Sequence, residues 1–540
     1  MATINNVTTI AAMAALAPSV NTTVFLNQDG REGLFECVSG TVPSDPQQGL
    51  YIASNTGGFY WSRVWDGLFG KPEWFGARRN DGSLAAQSAN LLALQACVAL
   101  CPVTVLASAD YWINGTFKIT TSFRTIRGEV LPYGDVGSGT GTRIISTDGA
   151  RSVIQVGPDA PPPTINDFLR GIMVENICAR WAGTAMTIPA PTNLAAAPKA
   201  FDYRFLIAPV FKSLAAWEPL IGHYLYGVVN PRFYDCSAFR SIDFGSNDFY
   251  RGFWLQGNPP VLAGGNASVY LVRCNVSAAG SAVAVNIGFY ANANFADTYL
   301  IQCETSAMTQ AVVLDGGGSN TGNGMLDVHI LNPIFDQVGK IGIDIVQLNE
   351  AATITISGGY IQCKAGAEKA IWARGGAGSV VLTGGLQIIC SDGGLASGCF
   401  GVRASNQPHL VVDESVTIKE TAYSISLDGG CYGGSIKPTI FLSTRPVGSR
   451  ADGVYMGDCS QMQVAPAIKA RAGAVAFEQG VRFGGTNSRI VVDATRIDQN
   501  SVTTPIQVSG VTLPSPGFYK PNGAAGSQSD KGFQVIGFVG

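Results

Sequence analysis

A degenerate repeat of about thirty residues constrains this chain more than any other feature. Apolar six-residue blocks recur as Leu271-Val272-Arg273-Cys274-Asn275-Val276, Leu300-Ile301-Gln302-Cys303-Glu304-Thr305, Ile330-Leu331-Asn332-Pro333-Ile334-Phe335, Tyr360-Ile361-Gln362-Cys363-Lys364-Ala365 and Gln387-Ile388-Ile389-Cys390-Ser391-Asp392. With the fourth residue of each block as anchor, the steps are 29, 30, 30 and 27 residues. Tyr234-Asp235-Cys236-Ser237 reads as an earlier member, 38 residues before Cys274, with an insertion between them. A second column, Val285, Val312, Ile343, Ile371, Phe400 and Ile425, steps by 27, 31, 28, 29 and 25. Two columns in step, two short strands per period, no heptads and no helix between strands predict a solenoid of β-rungs and disfavour a βαβ fold.

A rung buries its inner face only against its neighbours, about 4.8 Å away, so the anchors are expected to point inward as small buried hydrophobes. Pro333 has no N–H for the ladder and predicts a bulge or bend in its rung. Glycine is 66 of 540 residues and charged residues are only 14%, which fits a turn-dense, largely β chain and excludes a disordered one. Lys plus Arg number 35 and Asp plus Glu 38, a net charge of −3, so no basic surface for nucleic acid or anionic membrane is expected, and neutral glycans suit the chain better. The 12 cysteines are too dispersed for a disulfide-stapled mini-fold. Cys97 and Cys101 lack a second Cys/His pair at ligand spacing, so neither metal nor cofactor is expected. The apolar stretch Ile10 to Val20 has no basic start, is short and contains Pro18; it reads as neither secretory signal nor membrane span.

Residues 1–70 alternate short apolar runs with turn chemistry, such as Thr23-Val24-Phe25-Leu26 before Asn27-Gln28-Asp29-Gly30, and predict a small β-rich module. Trp74-Phe75-Gly76-Ala77 and an Asn80-Asp81-Gly82 turn follow, then a predicted helix over Ser88–Leu100 with Leu91, Leu94, Gln95 and Val98 in one stripe. After Pro102 come Val103-Thr104-Val105-Leu106, Asp110-Tyr111-Trp112-Ile113 and Thr125-Ile126-Arg127-Gly128-Glu129.

This stretch of about 55 residues resembles the start of the right-handed parallel β-helix of the pectate-lyase-like superfamily, as in bacteriophage tailspikes and capsule depolymerases. The resemblance implies an all-β solenoid: residues 1–70 an attachment-like module, 71–130 the start of the β-helix with its capping helix, 131–440 the β-helix, and 441–540 a C-terminal β-rich or trimerisation region. It further implies a homotrimer in a virion tail, made in the host cytoplasm without a signal peptide. The N-terminal module would contact a virion or tail protein, and the substrate would be a bacterial surface polysaccharide or exopolysaccharide.

If the anchors point in, the residues beside them point out. Asp235, Arg273, Gln302 and Asn332 then form, with Glu304, a polar strip of groups suited to sugar hydroxyls. Glycoside hydrolysis needs two carboxyl groups. Glu304 lies just after one anchor and Asp336 three past the next, which predicts about 7–9 Å between them, near the inverting range. Asp297 and Asp327, each six before its anchor, form a second pair stacked about 5 Å apart, nearer the retaining distance. In the insertion, Asp248 and Trp254 are expected either to wall the strip, with Trp254 stacking on a sugar, or to cover a rung end or subunit contact. His223, His329 and His409 belong to no nucleophile motif, and no phosphate loop or dinucleotide fingerprint is present. Besides hydrolysis, two readings stand: a polysaccharide lyase with a Tyr, His or Lys base, and a non-catalytic receptor-binding β-helix.

Overall fold

The structure, a computed structural model, describes residues 5–130, 141–183, 191–242, 249–257, 266–279, 285–292, 295–316, 327–348, 352–376, 378–390, 398–442, 451–470, 477–485, 487, 490–493, 495–498, 501–508 and 533–536. The chain divides into two compact units, Met1–Asp248 and Phe249–Gly540. Each contains parallel strands that return to three sheets turn after turn, the right-handed parallel β-helix.

The first unit opens with a five-stranded sheet. Thr23–Leu26, Gly33–Ser39, Phe59–Arg63 and Tyr51–Ala53 pair antiparallel, and Asn5–Val7 joins parallel to Thr23–Leu26. Alternation puts Val24, Leu26, Phe35, Cys37 and Trp61 into one core with Met13 of the short helix Ile10–Ala14. The buried Arg63 guanidinium lies 4.5 Å from both the Phe35 and Trp74 ring centres and donates to the carbonyls of Gly49, Glu32 and Arg31.

The main helix runs over Leu84–Leu100, a turn longer than its apolar stripe suggests, because the Ser83 hydroxyl accepts from Ala86 N and caps it. Its buried face is Ala86, Gln87, Asn90, Ala93, Leu94, Cys97 and Val98, whereas Leu92 is exposed. Leu94 and Val98 of the expected stripe are buried and Leu91 and Gln95 half-buried, and small residues with one hydrogen-bonded asparagine complete the face where the helix closes on the first rung. Asn90 donates to the carbonyls of Arg78 and Trp112 and accepts from Arg78 N. Glu73, buried in the Trp74-Phe75-Gly76 segment, accepts from the Tyr111 hydroxyl and Arg79. Rungs follow, as in Val210–Lys212, Ala215–Trp217 and Ile221–Val229.

In the second unit the first sheet holds Tyr270–Val272, Thr298–Ile301, Asp327–Leu331, Thr353–Ser357 and their successors. The second holds Asn275–Ala278, Glu304–Ser306, Ile334–Val338, Tyr360–Cys363 and Gln387–Cys390. The third holds Phe249–Gln256, Val285–Asn292, Gln310–Asp315, Ile341–Leu348, Lys369–Gly376 and onward. Each rung thus has three strands, not two. The first and second sheets are separated by corners of only two or so residues, so their strands read in sequence as a single run. Rungs also continue past residue 440, the expected end of the β-helix: Thr439–Leu442 pairs with Ala467–Ala470 and Asp452–Gly457 with Phe477–Gly484.

Both sequence columns need correcting. The true corner column is Cys274, Cys303, Pro333 and Gly359, since Asn275, Glu304, Ile334 and Tyr360, the residues that follow them, are the ones in register. Cys363 and Cys390 oppose each other at the far end of their strands, opposite Val338 rather than Pro333. In the third sheet Val312, Ile343, Ile371 and Ile425 align, but Phe289 and Val402 stand where Val285 and Phe400 were placed. Corner positions tolerate apolar residues as strands do, and periodicity alone cannot separate them. Pro333 sits in a corner whose carbonyl accepts from Tyr360 N, so no ladder bond is lost there. The irregularity of that rung comes later, between Phe335 and Val338, where Gln337 has φ 52°.

Candidate functional site

The outward face of the second sheet in the second unit brings Glu304, Asp336 and Tyr360 together. Glu304 opens its strand, donates its N–H to the Cys274 carbonyl at 2.9 Å and opposes Ile334; Asp336 opposes Ser306. Thr305 and Phe335, between them in the alternation, are fully buried, so Glu304 and Asp336 share the outer face, half-buried. One rung and two residues of offset correspond to a Cα separation of about 8 Å. Tyr360 opposes Ile334 one rung further on. Burial, and then the Asp336 and Glu304 carboxylates, push its phenol above the ordinary value. It is therefore a neutral donor that senses both acids. Sequence reasoning missed it because the slipped anchor moved Tyr360 out of the Glu304 column; anchoring that block on Gly359 puts it there.

Asp235, Arg273, Gln302 and Asn332 are exposed, but they are not strand residues. Each is a corner residue in the left-handed region, with φ of 56°, 51°, 53° and 50°. In the second unit the N–H of Arg273, Gln302 and Asn332 donates to Ile301, Leu331 and Ser357 carbonyls of the following rung. Their side chains thus line a ridge beside the face that carries Glu304, rather than lying within it.

Asp297 and Asp327 stand one above the other, as the pairing of the next residues, Thr298 with Val328, requires. Asp297 is also a corner residue, φ 50°, and accepts from the Ser268 hydroxyl. Beside them Tyr270, Tyr299 and His329 stack with 4.8 Å between successive ring centres and interplanar angles of 2° and 14°. Burial first, then Tyr270, Asp297 and Asp327, raise the Tyr299 phenol. The middle ring has both faces covered, so this ladder offers mainly edges and reads as a packing device.

Trp254 is buried, 4% exposed, on the third sheet. The Arg251 guanidinium lies 3.9 Å from its ring centre and the same distance from that of Tyr290, and Trp254 Nε1 donates to Asn292 Oδ1 at 2.7 Å. A ring so covered has no face for a sugar, which disfavours the stacking role and fits the other expected reading, in which Trp254 covers a rung. Asp248 lies outside the described residues. The same sheet buries Asp344, whose carboxyl burial pushes up despite Arg374 at 2.9 and 3.1 Å. Gln310 donates to it as well, so both oxygens are engaged and the group reads as structural.

In the first unit a polar cleft of about 600 Å³ is lined by Lys118, Arg151, Gln155, Asp159, Asp202 and Arg204, among others. Lys118 holds Asp159 at 2.7 and 2.9 Å, and Arg204 holds Asp202 at 2.7 and 2.8 Å. Lys118, with Gln155, keeps the Asp159 carboxyl below the usual range. The Asp159 carboxylate, held this way, is a poor proton donor.

No protein-family model matches the chain, and no curated protein matches it. Among solved structures, a mutant tailspike protein of Escherichia coli bacteriophage HK620 matches at 10% identity over 87% of this chain and 83% of that one, with a TM-score of 0.52. Tailspike protein 3 of bacteriophage CBA120 matches at 12% identity over 86% and 65%, TM-score 0.44. Tailspike protein gp49 of Acinetobacter baumannii bacteriophage Fri1, a capsular polysaccharide depolymerase, matches at 11% over 96% and 77%, TM-score 0.34. The chain spans 51% and 65% of the length of the first two solved chains it matches. It has the parallel β-helix fold of the HK620 tailspike.

Proposed function

We propose that the chain is a tailspike-like depolymerase that hydrolyses glycosidic bonds of a bacterial surface polysaccharide or exopolysaccharide, with Glu304 and Asp336 as the carboxyl pair. The observation that carries this reading is the register: it sets two half-buried acids on one outward face, one rung and two residues apart, with Tyr360 coupled to both. One acid protonates the leaving oxygen while the other draws a proton from water on the far side of the ring. With Cα atoms about 8 Å apart and both side chains leaving the same face, the carboxyl groups would stand far enough apart to leave room for that water, which suits inversion. Tyr360, held in its phenol form, donates to a carboxylate or a sugar oxygen. Arg273, Gln302 and Asn332, at the corners beside this face, would bind outlying hydroxyls. The chain acts as a homotrimer in the virion tail, its N-terminal module facing the particle; the shared fold with a tailspike supports this assignment.

The test is the release of new reducing ends from the host's purified polysaccharide. Glu304→Gln and Asp336→Asn, separately and together, are expected to lower the rate at least a hundredfold while the β-rich circular dichroism is kept. Unchanged degradation by both variants would refute the site. Products with an unsaturated, ultraviolet-absorbing end would make the enzyme a lyase, and binding without degradation would make it a receptor-binding protein.

A further inference from the structure

In the second unit, three cysteines that the hydrolytic reading does not use converge inside the coil. Cys363 and Cys390 oppose each other on neighbouring second-sheet strands, and Cys399 comes from the residue before Phe400–Ser405. All three are buried, and their Sγ atoms lie within 4.8 Å of one another. Cys390 Sγ and Cys399 Sγ are 2.8 Å apart. Among the described residues this is the one cluster of three potential metal ligands.

We propose that Cys363, Cys390 and Cys399 bind a thiophilic d10 divalent cation of the Zn²⁺ or Cd²⁺ class. A metal–sulfur bond of about 2.3 Å puts bound sulfurs about 3.8–4.0 Å apart, inside the span these three already occupy. Cys390 and Cys399 need only part by about an ångström, a side-chain rotation. A disulfide would use two sulfurs and leave the convergence of the third without a role. Charge also favours a divalent ion: three thiolates around it leave one net negative charge, and a monovalent ion leaves two. The Lys369 ammonium, its side chain 7% exposed and paired with Glu368 at 3.0 Å, also acts electrostatically on Cys399. Three protein ligands leave a fourth coordination position open. The ion ties two rungs to the segment entering the third sheet, a structural role separate from the Glu304 face.

Titration of the reduced, metal-stripped full chain with Cd²⁺ tests this, read by thiolate-to-cadmium charge-transfer absorption and by the thermal midpoint. One Cd²⁺ per chain, a raised midpoint and displacement by Zn²⁺ are expected. Cys399→Ala and Cys363→Ala should each weaken binding at least tenfold, whereas Cys303→Ala, in the corner column, should leave it unchanged. No charge-transfer band in protein whose thiols titrate as reduced would overturn the proposal. So would undiminished binding by both Cys399→Ala and Cys363→Ala, or a Cys390–Cys399 disulfide that forms in the metal-free chain and persists in place of binding.

Discussion

Tyr360 and His223 show two ways a single residue is set by what surrounds it. Tyr360 feels two carboxylates from an outward face. Tyr360→Phe removes the hydroxyl proposed to donate to a carboxylate or a sugar oxygen while keeping the ring, so turnover should fall about tenfold with the thermal midpoint nearly unchanged. A variant with full activity would take Tyr360 out of the site. His223 belongs to the interior of the first unit. Its ring stacks on Phe201 at 4.9 Å, its Nδ1 faces the Tyr203 hydroxyl at 3.0 Å and its Nε2 faces the Ser237 carbonyl at 3.0 Å. Burial lowers it from 6.5 to about 3. Between those values the unfolded chain binds a proton that the folded chain does not, so stability is complete above 6.5 and is lost as pH falls toward 3. The slope from this one group is about 1.4 kcal/mol per pH unit. Denaturant midpoints across that range should fall less steeply for His223→Gln; parallel curves would contradict the assignment.

At the scale of the element, the corner is the recurring device. A two-residue turn with its first residue in the left-handed region joins first-sheet to second-sheet strands, and one rung uses Gly358 and Gly359 there, φ 70° and 65°. At Gly359 a Cβ would come 2.1 Å from the Pro333 carbonyl oxygen and 2.6 Å from its nitrogen, both backbone atoms, so that position admits only glycine. Gln302, exposed at φ 53°, carries the strain glycine would not. Gln302→Gly should therefore raise stability or leave it unchanged, and Gln302→Val should lower it by about 1–2 kcal/mol, both read as shifts in thermal midpoint. The reverse order would mean that the corner geometry is wrong. These corners also explain what could be read from sequence. The existence of rungs was legible, because the buried residues Leu271, Leu300 and Ile330, then Val276, Thr305 and Phe335, repeat in register. Their exact alignment was not: Cys363 sits beyond an irregular pairing at Phe335–Val338, and the shift went unseen. The Glu304 and Asp336 offset was readable because no irregularity falls between their strands up to Asp336. The two readings of Trp254 could not be separated in sequence because nothing in its neighbours announces that Arg251 folds over the ring.

For the whole molecule, a net charge of −3 spread over 540 residues leaves recognition to local groups rather than to a long-range field. Such a surface suits a glycan, for which hydrogen bonds and a few placed acids matter more than overall attraction. The central claim is that a sugar chain lies across the second-sheet face of the second unit with its scissile bond between Glu304 and Asp336. A crystal structure of Glu304→Gln soaked with oligosaccharide fragments of the host polysaccharide tests it most directly. Sugar rings on both sides of position 304, with the bridging oxygen near Asp336 or Gln at 304 and the Tyr360 hydroxyl in contact, are the predicted result. Fragments bound instead along the Tyr270–Tyr299–His329 stack or in the Lys118–Asp202 cleft, with the Glu304 face bare, would contradict it.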